Sequence, residues 1–167
     1  MNAGFRILGS VLALWAMVAC DPQRIAELEE GVSTEADVRA RFGAPDAIWK
    51  EPGGERVLEY DRQPAGHKNY MIGIGPDGRM TSLRQVLDPA NFARVQPGMR
   101  SDDVRRLLGQ PMKQTPYALK NETAWDWRYL EPPGTSMVFT VWFGPDGRVL
   151  RTGSSPDPEA TENRGGR

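Results

Sequence analysis

The chain has 167 residues, with 21 Lys plus Arg against 22 Asp plus Glu and a formal charge of −1. That length allows one domain or two small similar ones, and the balanced charge argues against a nucleic-acid partner or a polybasic membrane-surface protein. One histidine, His67, and one cysteine, Cys20, exclude Cys/His zinc sites and any internal disulfide.

Residues 1–19 read as a signal. Arg6 is the only charged side chain before Asp21, and the apolar run Ile7–Ala19 follows it. Thirteen helical residues span ~20 Å, short of the ~30 Å hydrocarbon core. A positive start, a short apolar stretch and a small residue at its end make a secretory signal. Met17-Val18-Ala19-Cys20 resembles a bacterial lipobox, in which the cysteine is acylated and becomes the mature N-terminus. Cys20 is therefore the expected lipidation site. Asp21 beside it resembles an inner-membrane retention signal.

The chain after Cys20 repeats itself. Gly75-Pro-Asp-Gly-Arg79 recurs as Gly144-Pro-Asp-Gly-Arg148 at an offset of 69, and Tyr60, Tyr70, Ile72 and Ile74 fall on Tyr129, Phe139, Val141 and Phe143. Upstream, Asp37-Val38 matches Asp103-Val104 at 66, and Leu28 with Gly31-Val32 matches Val95 with Gly98-Met99 at 67. Two units follow, residues 22–88 and 89–153.

Each unit begins helically. Short helical turns are expected at Ile25–Leu28 and Asn91–Val95. Thr34 caps a helix with Glu35 and Asp37 in its first turn, and Val38 and Phe42 share a face. In the second unit Ser101 is the expected cap, Asp102 and Asp103 fill the first turn, and Val104, Leu107 and Leu108 face the core. Gly43 with Pro45, and Gly109 with Pro111, stop these helices. The remainder alternates with a period of two, as in Trp125, Trp127 and Tyr129 or Met137, Phe139, Val141 and Phe143. Gly-Pro-Asp-Gly fits a type I turn joining two strands, and Pro52-Gly53-Gly54 reads as another hairpin turn. The predicted fold is α+β: a tandem repeat of two short helices on a three- or four-stranded antiparallel sheet, with one sheet face free for water. Residues 154–167 show no apolar period and are expected to be disordered.

Sites with catalytic chemistry are few. Gly73-Ile-Gly75-Pro-Asp-Gly78 spells the dinucleotide fingerprint, but the residues after it, Arg79–Val86, read as a strand and not as the helix such a site needs. His67 lies in a loop with no evident nucleophile or orienting partner. Asp77 and Asp146 are turn formers. The expectation is no enzyme, no cofactor, no metal and no small-molecule substrate.

Val95-x-x-Gly98-Met99, Asp103-Val104, Leu107-Leu108-Gly109-x-Pro111, Trp125-x-Trp127-x-Tyr129 and the Phe143-x-x-Asp146-Gly147 hairpin resemble the SmpA/OmlA (BamE-like) family of outer-membrane assembly lipoproteins. The second unit carries the fuller pattern; in the first, Val32 and Phe42 replace a methionine and a leucine. The resemblance implies a periplasm-facing lipoprotein of the cell envelope, in the outer membrane more than the inner, which contacts envelope proteins such as the β-barrel assembly machinery. Two such units in tandem also resemble secreted β-lactamase inhibitory proteins. The alternative function is therefore an enzyme-inhibitor-type binding protein. Those inhibitors carry disulfides that one cysteine cannot supply.

Aromatic density in the second unit is the remaining signal. Trp125, Trp127 and Tyr129 are expected in the core. Trp142 falls on the strand face opposite Phe139, Val141 and Phe143, either as a partner-contact residue or as filling between the units. Glu131, Pro132 and Pro133 stiffen the loop beside the same strand, and with Trp142 they form the expected partner-binding set.

Overall fold

The structure, a computed structural model, describes residues 25–162. The signal segment and Cys20 lie outside the described residues.

In the first unit the chain makes a turn, with Leu28 N–H on the Ile25 carbonyl at 3.1 Å, and then enters helix α1, Glu35–Phe42. Thr34 caps α1: its hydroxyl accepts from Asp37 N–H while the Asp37 carboxylate accepts from Thr34 N–H at 2.8 Å. This reciprocal pair satisfies two of the donors a helix start leaves open. Strands β1 Ala47–Lys50, β2 Arg56–Asp61, β3 Asn69–Ile74 and β4 Met80–Gln85 follow. They pair antiparallel in chain order. Pro52–Gly54 turns β1 into β2.

The second unit repeats the plan with α2 Pro89–Phe92, α3 Ser101–Leu108, β5 Lys113–Tyr117, β6 Glu122–Glu131, β7 Thr135–Phe143 and β8 Val149–Pro156, again an antiparallel sheet in chain order. The Gly-Pro-Asp-Gly turns join β3 to β4 and β7 to β8, and the last glycine of each, Gly78 and Gly147, takes the positive φ (80° and 70°) of the bulge residue that follows a type I turn in a hairpin. Met80–Gln85 is a strand, so no helix follows the Gly73–Gly78 motif and no dinucleotide cradle forms.

Four expectations are corrected. The cap of α3 is Arg100, not Ser101, because Arg100 pairs with Arg148 in an antiparallel bridge that holds it extended; the same bridge joins Thr34 to Arg79 in the first unit. The short helix α2 starts at Pro89, earlier than Asn91, because the Asp88 side chain accepts from Asn91 N–H and proline suits the first helical position. Residues 154–162, expected to be disordered, are ordered: Ser154, Ser155 and Pro156 pair with Phe139, Val138 and Met137, and α4, Pro158–Glu162, follows. Backbone pairing and the buried Asp157 hold them, neither of which an apolar period would report.

The fourth correction concerns layering. α1 packs on one face of the first sheet through Val38, Phe42, Leu58, Tyr60, Ile72 and Ile74. The other face does not meet water. Met71 and Val57 on it join the second unit's core, with Val104 and Leu108 of α3 and Trp127, Phe139 and Val141 of the second sheet. The order is α1, first sheet, α2 with α3, second sheet. Every residue of β3 is therefore buried, and among the described residues the outer face of the second sheet has no helix layer of the repeat upon it.

Candidate functional site

That outer face carries Trp142. Its indole is half-buried under the Arg151 guanidinium, 4.6 Å above the ring. Arg151 in turn forks onto Glu122 with bonds of 2.9 and 2.8 Å. The bidentate pair raises the Arg151 pKa and lowers that of Glu122. Around them Tyr117 is half exposed and Leu119, at the β5–β6 turn, is wholly exposed. The space between the units is filled by α3, and the residues closing over Trp142 belong to the second unit. Trp125 is partly buried while Trp127 and Tyr129 are fully so, and Trp127 Nε1–H donates to the Gly109 carbonyl at 3.1 Å.

Glu131, Pro132 and Pro133 form the exposed turn between β6 and β7, closed by Gly134 N–H on the Glu131 carbonyl at 2.7 Å. The turn precedes β7, which starts at Thr135, and Trp142 is near the far end of that strand. Seven residues at ~3.3 Å each separate them by ~23 Å. The structure thus does not join the four expected contact residues in one patch.

Two polar clusters were invisible to spacing arguments because each draws residues from both units. The first is the seam between the first sheet and α3. Glu59 is fully buried, accepts from Trp49 Nε1–H at 2.7 Å and pairs with Arg105 at 3.3 Å. Asn69, also buried, donates to the carbonyls of Leu108 and Gln110 at 2.9 and 3.1 Å, satisfying the open end of α3. Asp61 Oδ1 accepts from Gln110 N–H at 3.0 Å, while its Oδ2 is buried without a hydrogen-bond partner. Burial, then the hydrogen bond and charge of neighbouring Glu59, push the Asp61 pKa up to about 8. A proton on Asp61 supplies the donor that two adjacent carboxyls lack.

The second cluster holds His67. Its Nε2 lies 3.1 Å from Ser136 Oγ, and that hydroxyl donates to Asp157 Oδ2 at 2.7 Å. Arg128, on β6, reaches across β7 to Asp157 at 2.6 Å and also pairs with Glu159. Burial, then the Arg128 charge, lower the His67 pKa. Burial alone would raise the Asp157 pKa, but the Ser136 hydroxyl and Arg128 together hold it below the usual carboxylate range. The residue types are those of a hydrolase triad; the polarity is not. The serine proton goes to the aspartate, not to the histidine, so the imidazole acts as donor and the hydroxyl is not activated. The cluster ties the β2–β3 loop of the first unit to the C-terminal segment of the second. Beside it a shallow cavity of about 430 Å³ is walled by Arg62, His67, Lys68, Tyr70 and Leu130.

Among the described residues no group of three or more His, Cys, Asp or Glu could hold a metal ion, and no helix is long and apolar enough to cross a membrane.

Comparison with known proteins bears on the second unit. Residues 85–153 match the family model of the outer membrane protein assembly factor BamE domain. That match supports placing the second unit in the BamE/SmpA family. No curated protein matches the chain. Solved structures show loose likeness. A DUF4309 family protein, YjgB, from Bacillus subtilis has 17% identity, covers 81% of this chain and 86% of its own, and gives a TM-score of 0.33. A candidate beta-lactamase inhibitor protein from Streptococcus mutans has 12% identity, with 74% and 82% covered and a TM-score of 0.35. An extracellular protein containing a SCP domain from Bacillus anthracis has 11% identity, with 83% and 47% covered and a TM-score of 0.31.

Proposed function

We propose that this chain is a non-catalytic, lipid-anchored envelope protein that serves outer-membrane β-barrel protein assembly by protein–protein contact. The observation that carries this is the match of residues 85–153 to the BamE domain. The lipobox-like Met17–Cys20 supports an anchor at Cys20, and the family resemblance supports a periplasm-facing protein in the outer membrane rather than the inner despite Asp21. The first unit is a diverged copy whose sheet is spent on both faces, against α1 and against α3. Contact with envelope proteins then falls to the second unit. Trp142 is its centre, and the turn at Glu131, Pro132 and Pro133 is a separate, outlying point. A central tryptophan contributes ~2 kcal/mol or more to an interface.

Affinity purification of wild-type, Cys20→Ser and Trp142→Ala proteins from detergent-solubilised envelope, with mass spectrometry of what accompanies them, tests both parts. One acyl chain binds a membrane only marginally and several bind it stably, so Cys20→Ser should leave washed membranes while wild type stays. Trp142→Ala should lose assembly-machinery partners with its melting temperature within ~2 °C of wild type. Wild type found soluble in the periplasm, or partners fully retained by Trp142→Ala, would overturn the corresponding part.

A further inference from the structure

Among the described residues, three of the four sheet edges are occupied or protected. β1 is only four residues long. β4 is occupied on its outer side: Gly31 N–H donates to the Met80 carbonyl and Met80 N–H to the Ser33 carbonyl, both at 2.7 Å, and Leu83 N–H donates to a Glu30 carboxylate oxygen at 3.0 Å. β5 carries Lys113 and has Pro116, without an N–H, in its interior. Short length, lysine and proline are the usual protections of an edge.

β8 begins as β4 does. Gly98 N–H donates to the Val149 carbonyl at 2.8 Å and Val149 N–H to the Met99 carbonyl at 2.9 Å. There the units part. At the repeat offset of 67, Pro97 stands where the first unit has Glu30, and at 69 the counterpart of Leu83 is Thr152. Asp157 N–H donates to the Ser136 carbonyl at 3.1 Å, which sets the phase of the β7–β8 ladder. Ser155, Gly153 and Arg151, opposite Val138, Thr140 and Trp142, turn their amides toward β7. Thr152 and Ser154 turn theirs outward. Both are exposed, and among the described residues no group takes up these backbone donors and acceptors.

The side-chain relief of this edge is specific as well. Gly153 has only a hydrogen where a Cβ would lie 3.4 Å from the six-membered ring of Trp142. The indole thus leans toward the rim across a residue with no side chain.

We propose that β8 accepts an extended segment of a partner polypeptide as a fifth, antiparallel strand, bonded to the backbone of Thr152 and Ser154, with an aromatic side chain opposite Gly153 packed on the Trp142 indole. This rests on the reading of the chain as a protein-contact module and states how the contact is made. In such a pairing Thr152 and Ser154 form hydrogen-bonded pairs. Gly153 then sits in a non-hydrogen-bonded pair, where facing side chains are closest. An aromatic residue across from an edge glycine covers the backbone the glycine leaves bare. The main-chain bonds supply affinity and the Gly153 notch supplies selection.

The test uses the full chain in detergent micelles. The probe is a ten-residue peptide alternating threonine and valine, with one central phenylalanine and lysine at each end. Amide exchange at Thr152 and Ser154 should slow at least tenfold on saturation, and replacing the phenylalanine by alanine should weaken binding about tenfold. Ser154→Pro deletes an outward N–H and no ladder bond, so it should weaken the peptide at least tenfold at an unchanged melting temperature. If that variant is itself unstable, the exchange measurement on wild type decides alone. No protection at Thr152 and Ser154, or protection centred on β5, overturns the proposal. Envelope partners lost with Trp142→Ala but kept by a folded Ser154→Pro would also overturn it, while leaving the contact function standing.

Discussion

Asp61→Asn should make the protein more stable at neutral and alkaline pH, and the seam between the units says by how much. In the folded chain the Asp61 carboxyl titrates at about 8, because burial and then Glu59 disfavour its charge. In the unfolded chain an aspartate titrates near ~3.9. Between those values the native state holds a proton that the unfolded state has released. The stability this proton confers is complete below about pH 4 and declines as pH rises to about 8. Four units at ~1.4 kcal/mol each set a ceiling of ~6 kcal/mol. Asp61 is partly exposed, so solvent screening reduces this to roughly 2 kcal/mol. Asparagine keeps an acceptor for Gln110 N–H and places a permanent donor toward Glu59. Thermal unfolding followed by circular dichroism at pH 5, 6, 7 and 8.5 reads the difference. Wild type should lose several degrees of melting temperature across that range, at ~2–4 °C per kcal/mol for a chain of this size. The variant should lose much less and exceed wild type at pH 8.5. A flat wild-type profile, or a variant less stable at every pH, refutes a proton held on Asp61.

Gly109→Val should cost stability on two counts. Gly109 ends α3 at φ 78°, where a β-branched residue is strained by ~1–3 kcal/mol, and a Cβ there would stand 2.8 Å from Asn69 Nδ2 and against Asp61. Urea unfolding should show the loss, and an unchanged midpoint would contradict the seam geometry. Arg128→Met should be at least as damaging, since it leaves Asp157, whose side chain is 3% exposed, without its cation; removing one partner of a buried pair costs ~3–5 kcal/mol. Hydrogen exchange should then show Ser155–Asp157 released from β7, and adding Asp157→Asn should recover part of the loss.

The repeat was legible because duplication writes the same local rules twice. The cap at Thr34, the Val38 and Phe42 face, the Gly-Pro-Asp-Gly hairpins and the alternation through Trp127 and Tyr129 are all decided within a few residues of chain, and the structure keeps each. What failed was non-local. Ser101 carries the right side chain for a cap, but the bridge from Arg100 to Arg148 sets where α3 starts. Residues 154–156 have no apolar period because their order comes from backbone bonds to β7 and from Asp157. Glu59, Asp61 and Asn69 read as ordinary polar strand residues, since nothing in the first unit's own pattern says that α3 will land on them. His67 shows no partner in its own loop for the same reason: Ser136 is 69 residues away in the chain.

The same non-local packing explains why two copies of one plan can have unequal tasks. Stacking α3 on the first sheet turns that sheet into an interior layer, and its outer positions bear the consequence: Glu59 and Asn69 are wholly buried and Met71 joins the second core. Among the described residues no further helix layer of this kind lies on the second sheet. At positions related by the repeat, the first unit has Gly73 beside an occupied edge and the second has Trp142 beside an open one. A third copy stacked in the same sense would need room for its helix where Trp142 and Arg151 now stand. The aromatic, the missing Glu30 counterpart and the uncovered face thus coincide on the second sheet, and there a partner's chain can continue the sheet without disturbing either core.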